Sequence, residues 1–269
     1  MFKKIILLSF LYIFSNNVYS QSPWINKKGS LYAQYSFTYL SYGSVINDKL
    51  NTIVPADFST QDITSNIFAD YSLTDNLAVL VNLPYKSVRH NDLSLSSFGD
   101  PSIKLKYQFM KNIPLSGYLG YTAPLSKREG TLRTGYNQHA AELGLSIGTA
   151  KKNSFTFGGL GGRYRSNIPN QILVEFEYGY RFLLTKRQAP FYVIFHVDGV
   201  FNTSSVEDME AGQANLFHND GEFLSPALKF SYNVFDDFWV NLGVHSAVLV
   251  RYFGAASTFT IGFAYKVTK

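Results

Sequence analysis

The sequence predicts an all-β fold, a transmembrane antiparallel up-and-down β-barrel of about twelve strands. Three observations carry the prediction. Long segments alternate apolar and polar residues, the connections between them are alternately short and long, and aromatic residues match charged ones at 16% each. Side chains on a strand point alternately to opposite faces, so period-two alternation gives every strand one apolar wall. A soluble sandwich buries such walls between two sheets, whereas a membrane barrel turns them to lipid. Soluble domains carry about 25% charged residues, so this chain has traded charge for Tyr and Phe. That exchange suits a lipid-facing wall with aromatic girdles.

The strands are predicted near 30–42, 61–72, 77–88, 100–109, 114–124, 138–150, 154–164, 171–184, 190–201, 221–233, 237–249 and 256–267. Ile103 to Phe109, Val174 to Phe182 and Phe259 to Val267 show the alternation cleanly. Most exceed the five or six residues of a globular strand and match the nine to eleven or so of a tilted membrane crossing. Every second connection is a tight turn rich in Asp, Asn and Lys, near 73–76, 110–113, 151–153, 185–189 and 234–237. The others are longer and polar, near 43–60, 89–99, 125–137, 165–170 and 202–220, with a short one near 250–255. Short turns on one rim and long loops on the other are the organisation of an outer-membrane barrel, and an even strand count leaves both termini on the turn side.

Before the barrel, residues 1–20 read as a secretory signal peptide. Lys3 and Lys4 form the basic region, Ile5 to Phe14 the apolar region, and Val18-Tyr19-Ser20 leads to a cut near Ser20/Gln21. The apolar run is too short to span a bilayer. The single mature domain is expected over 21–269. The chain has no cysteine, which removes lipoprotein acylation, disulfides and thiol chemistry. Its net charge of +5 includes Lys3 and Lys4, and the remaining excess is too small and scattered for nucleic acid.

With the apolar faces outward, parity places the others inside. The inward ionisable candidates are Asp62, Asp70, Lys86, Lys104, Lys106, Glu142, Glu175, Glu177, Arg181, His196, Asp198, Lys229 and His245. Their charges nearly cancel, so they either pair across the lumen or line a water-filled path. Twelve strands enclose more space than a side-chain-filled barrel of eight and less than an open porin, so a narrow, partly occluded pore is expected. The loops near 43–60, 89–99 and 202–220 are the expected constrictions. Gly99-Asp100-Pro101 reads as an external loop-to-strand corner. Gly158-Gly159-Leu160-Gly161-Gly162 lacks the helix start of a phosphate loop; glycine there permits curvature or close packing against inward aromatics or a loop.

Phe98-Gly99-Asp100-Pro101-Ser102-Ile103-Lys104-Leu105-Lys106-Tyr107-Gln108-Phe109 resembles a strand of the outer-membrane barrels grouped with the meta-pathway phenol-degradation transporters. Tyr121-Thr122-Ala123-Pro124-Leu125 with Gly130, Thr134-Gly135-Tyr136-Asn137, and the run from Glu175 to Phe182 are similar to its later segments. The likeness covers about half the chain and brings no established binding residues. It implies passive or gated passage of small solutes, aromatic or apolar ones among them. The last strand, with Phe259, Ile261, Phe263, Tyr265 and Val267 on one face, resembles the C-terminal strand that barrel-assembly machinery recognises, although Val-Thr-Lys follows Tyr265.

The alternatives are a lipid-modifying enzyme of the outer membrane and a structural or adhesive barrel with a sealed lumen. His218 to Ser225 has the wrong spacing for a catalytic pair, and His245 and Ser246 point to opposite faces. His196 and Asp198 share the lumen face and pair without needing catalysis. No nucleophile–base–orienter set emerges, so no enzyme is expected. Scattered histidines without cysteine give no expectation of a metal or other cofactor.

Overall fold

In a computed structural model, the described residues are 22–46, 53–130, 132–184, 189–204, 222–246, 249–251, 253–254 and 257–268. The leader and its cut near Ser20/Gln21 lie outside them, as do 47–52 and 205–221. Twelve strands form the barrel: β1 Leu31–Ile46, β2 Ile53–Ser72, β3 Leu77–His90, β4 Ser102–Met110, β5 Leu115–Thr122 and β6 Ala140–Ala150. The second half comprises β7 Ser154–Arg165, β8 Gln171–Leu184, β9 Ala189–Asn202, β10 Glu222–Phe235, β11 Phe238–Ser246 and β12 Ser257–Val267. Each pairs antiparallel with its neighbours in sequence. The ring closes where β12 pairs β1, from Leu31 opposite Val267 to Leu40 opposite Thr258. Closure removes the sheet edges, which is what lets strands cross lipid with every backbone donor and acceptor paired.

The polarity is inverted relative to a soluble protein. Leu143 and Leu160 are more than 60% exposed on the outer wall, as Ile67, Phe98 and Leu119 also are in large part, while Lys106, Glu177 and Gln108 are almost wholly buried inside. In water such an apolar exterior would be untenable; in a bilayer it is the solvated face. The predicted fold class therefore holds.

The strands depart from the sequence reading at their outer ends. The region near 43–60 is largely strand, with β1 and β2 paired beyond Tyr42 after a bulge, from Ser44 opposite Pro55 to Ile46 opposite Ile53. Likewise the stretch near 89–99 is a hairpin: the short strand Leu93–Phe98 folds back on β3, from Tyr85 opposite Phe98 to His90 opposite Leu93. Ser-rich, weakly hydrophobic segments read as loops by composition, but a partner strand already in place satisfies their backbone groups.

Inside the wall, large and small residues alternate across strands. Tyr118 on β5 stands opposite Gly144 on β6, which stands opposite Gly161 on β7. The Tyr118 ring lies across both glycines: a Cβ on either would meet Tyr118 atoms at 2.5 Å. Close packing against an inward aromatic is thus the role of glycine here. Substituting Gly144→Val is expected to lower unfolding stability by about 1–3 kcal/mol, the range for overpacking. Tyr118→Ala in the same chain should recover most of that loss, measured as the urea midpoint of tryptophan fluorescence.

Candidate functional site

The lumen is arranged in three tiers from the loop rim to the turn rim. At the outer tier, charged residues on β2 to β7 form ion pairs whose reach follows the strand register. Lys104 on β4 and Glu142 on β6 both stand opposite Gly120 on the strand between them. Glycine leaves the space through which Lys104 Nζ reaches Glu142 Oε2 at 2.6 Å. Glu142 also stands opposite Arg163, whose Nε donates to its other oxygen at 2.7 Å. Lys86 pairs with Asp62 at 2.9 Å in this tier, whereas Lys106 reaches Asp70 at 3.2 Å nearer the turn rim, opposite Ala78 and Leu80. Buried charge is tolerated where each ion has such a partner.

A loop folds over this tier. Asp100, in the predicted corner, accepts from the backbone amides of Ser126, Tyr136 and Asn137. Thr134 is wholly buried and bonds Ser97 Oγ at 2.6 Å, while Leu132 packs on Val88 and Leu95. The Arg165 guanidinium lies 5.0 Å over the Tyr136 ring. The described constriction at this end is therefore the loop near 125–137, which the sequence reading had not singled out. Its anchors, one carboxylate and one hydroxyl, leave no composition signal.

The opposite wall, β8 to β10, carries the second ionic cluster. Glu177 stands opposite His196, and Glu175 opposite Asp198. His196 Nδ1 is 3.0 Å from Glu177 Oε2, and its Nε2 is 2.6 Å from Asp198 Oδ2. Lys229 Nζ lies 3.6 Å from Glu177, and the His245 ring is 6.3 Å from that of His196. Arg181 differs from the other candidates: it bonds Lys152 O at 2.6 Å and Asn153 Oδ1 at 3.3 Å, tying β8 to the short turn beside it. The structure thus gathers the candidates into two networks on facing walls and leaves Arg181 at the turn rim.

Two cavities lie in the lumen. One, of about 370 Å³, is lined by Lys86, Lys104, Glu142, Arg163 and Arg165 with the apolar Phe68 and Leu80. The other, of about 260 Å³, is lined by amides and hydroxyls, among them Gln34, Asn66, Asn241 and Thr260, with Lys229 and His245. Phe68 and Asn82 line both, so the cavities adjoin.

The third tier was not foreseen. Residues 22–26 enter the lumen from the turn rim. Ser22 and Pro23 are buried there, and Trp24 meets Phe155 and Phe157 edge-on at centroid distances of 6.2 and 6.0 Å. Tyr192, Ile194 and Trp239 complete that apolar cluster. Ile25 packs on Ala78, Leu80 and Phe68, and its amide donates to Gln108 Oε1 at 3.3 Å. The chain then turns into β1 through Gly29, whose φ of 81° suits glycine, and Gly29 N bonds Ser72 O at 2.8 Å. Arg163 and Arg165 were also missed. Two signals were available: the inward parity of Phe155, Phe157, Tyr192 and Ile194, and the apolar Pro-Trp-Ile following the expected cut.

A closed barrel with an apolar exterior and a polar, partly filled lumen defines an outer-membrane β-barrel of the smaller kind. No family model matches the chain, and no curated protein matches it in sequence. Among solved structures, the COG4313 outer membrane channel from Pseudomonas putida F1 aligns with 93% of this chain and 100% of its own at 13% identity, TM-score 0.71. That likeness is one of fold. The CymD monoaromatic hydrocarbon channel aligns with 90% of this chain and 89% of its own at 10% identity, with a TM-score of 0.46. The KdgM porin aligns with 86% and 98% at 8% identity, with a TM-score of 0.45.

Proposed function

We propose that the barrel passes small solutes across the outer membrane along its lumen, gated at the turn rim by residues 22–26. The observation that carries this reading is the pair of adjoining cavities in the lumen, the larger of them lined at its outer side by Thr134, Gly135 and Tyr136 of the loop near 125–137. A barrel that served only as a scaffold would gain stability by filling that volume with side chains. The Pseudomonas protein of the same fold is named a channel, which agrees with this reading. The apolar Phe68 and Leu80 beside paired cations suit a solute with an apolar body and a polar end, in keeping with the small aromatic or apolar molecules implied by the sequence resemblance.

The described histidines favour passage over lipid hydrolysis. His196 is enclosed between two carboxylates inside the lumen and His245 lines the smaller cavity beside it, while His90 bonds Thr60 and His139 bonds Tyr121. His218 lies outside the described residues.

The test is conductance of the refolded protein in planar bilayers, with folding first established by heat-modifiable migration on a gel. Discrete steps, with ion selectivity that shifts when Lys104 and Lys106 are changed to Glu, are the expected result. A folded protein that stays silent under every condition, including with residues 22–26 disrupted, would overturn the reading.

A further inference from the structure

We propose that Glu175, His196 and Asp198 form a binding site for one divalent transition-metal ion of the Zn²⁺ class in the lumen wall. Each offers one donor atom, and these atoms lie within 4.8 Å of one another. Donors at about 2.1 Å from a common tetrahedral ion stand about 3.4 Å apart, so the geometry is completed when Glu175 closes in and the 2.6 Å contact between His196 and Asp198 opens.

Four features of the cluster support an ion rather than ion pairing alone. Glu175 is more than nine-tenths buried, and its Oε2 has no hydrogen-bond partner. Glu177 Oε1, still more deeply buried, also lacks one. Burying carboxylate oxygens without donors is costly, and a cation is the partner that satisfies several at once. The cluster is also negative. Glu175, Glu177 and Asp198 face two cations, the Lys229 ammonium 3.6 Å from Glu177 and the His196 ring, whose nitrogens both donate to carboxylates, so one negative charge is left over.

The carboxylate that orients the ring is already in place. Glu177 Oε2 sits 3.0 Å from His196 Nδ1, the carboxylate–histidine arrangement that fixes a ligating ring and its tautomer. Nε2 is then the metal-facing nitrogen, and Glu175, whose Oε1 now lies 3.9 Å from Nδ1, turns its carboxylate toward the ion. Asp198 now sits at Nε2, 2.6 Å away, and its side chain is 40% exposed to the lumen. It can therefore swing to admit the ion. On binding, the Nε2 proton leaves to solvent and the Nε2–Asp198 hydrogen bond becomes a shared coordination.

One imidazole and two carboxylates, without thiolate, suit Zn²⁺ or a neighbouring first-row ion. Three protein donors leave coordination positions for water, so the ion would exchange with the lumen. Nothing here requires the barrel to conduct, so this proposal and the channel reading can fail separately.

The test is isothermal titration of ZnCl₂ into the full refolded barrel in detergent, with His90, His139 and His218 changed to Gln to remove imidazoles away from the cluster. One saturable site per chain is expected. Asp198→Asn and His196→Gln should each weaken it at least about tenfold, and Glu177→Gln should weaken it by a similar order through loss of ring orientation. MgCl₂ should not compete. Heat-modifiable migration checks that each variant is folded, and the half-exposed Asp198 position decides the matter if His196→Gln does not fold. No Zn²⁺ binding by the parent chain, or equal binding by folded Asp198→Asn, overturns the proposal.

Discussion

Trp24→Ala combined with Ile25→Ala is expected to convert a low-conductance barrel into an open one without unfolding it. The two side chains fix residues 22–26 in the lumen through different walls. Trp24 meets Phe155 and Phe157, and Ile25 meets Ala78, Leu80 and Phe68. Truncating a packed aromatic or aliphatic side chain costs about 2–5 kcal/mol. If only about 3 kcal/mol of that sum holds the segment in place, its loss shifts the seated-to-released ratio by about a hundredfold. The barrel itself is held by a closed ladder in which this segment takes no part, so heat-modifiable migration should persist. The measurement is the open fraction in single-channel records of parent and double variant. Records that are unchanged while limited proteolysis shows the segment released would place the barrier elsewhere, at the loop near 125–137.

Glu142→Gln should have the second large effect. Its carboxylate holds Lys104 at 2.6 Å and Arg163 at 2.7 Å, and it is 3% exposed. Neutralising it leaves two cations sharing one amide. Breaking a buried ionic network by removing one partner costs about 3–5 kcal/mol, less whatever lumen water recovers. A fall of about 2–4 kcal/mol in unfolding free energy, read from urea midpoints, is therefore expected. Because the unpaired ammonium and guanidinium line the larger cavity, reversal potentials should also move toward anion preference. Removing a cation as well, in Glu142→Gln with Arg163→Gln, should restore part of both losses, since the two sites are coupled. Additive losses in the double variant would show that the pairs are energetically independent.

The fold was legible because a barrel leaves its signature locally. Alternation in Ile103 to Phe109 or Val174 to Phe182 needs no knowledge of the partner strand, since the backbone alone sends successive side chains to opposite faces. The same parity placed Lys104, Glu142, Glu177 and His196 on the inner wall. It could not say which would meet. Lys104 and Glu142 are paired because Gly120 stands between them in register, and register is a property of two strands at once.

What the sequence by itself determined, then, is the strand sequence, the rim with short turns and the sidedness of each wall, all consequences of periodicity within one segment. The tertiary structure alone decided how the lumen is filled. Trp24 and Ile25 sit far in sequence from Phe157 and Leu80, and Asp100 caps amides more than twenty residues away. Those contacts exist only after ring closure brings the strands' inner faces around a common volume. What fills that volume depends on shape and on the pairing of buried charge, neither of which is written in any single stretch of the chain.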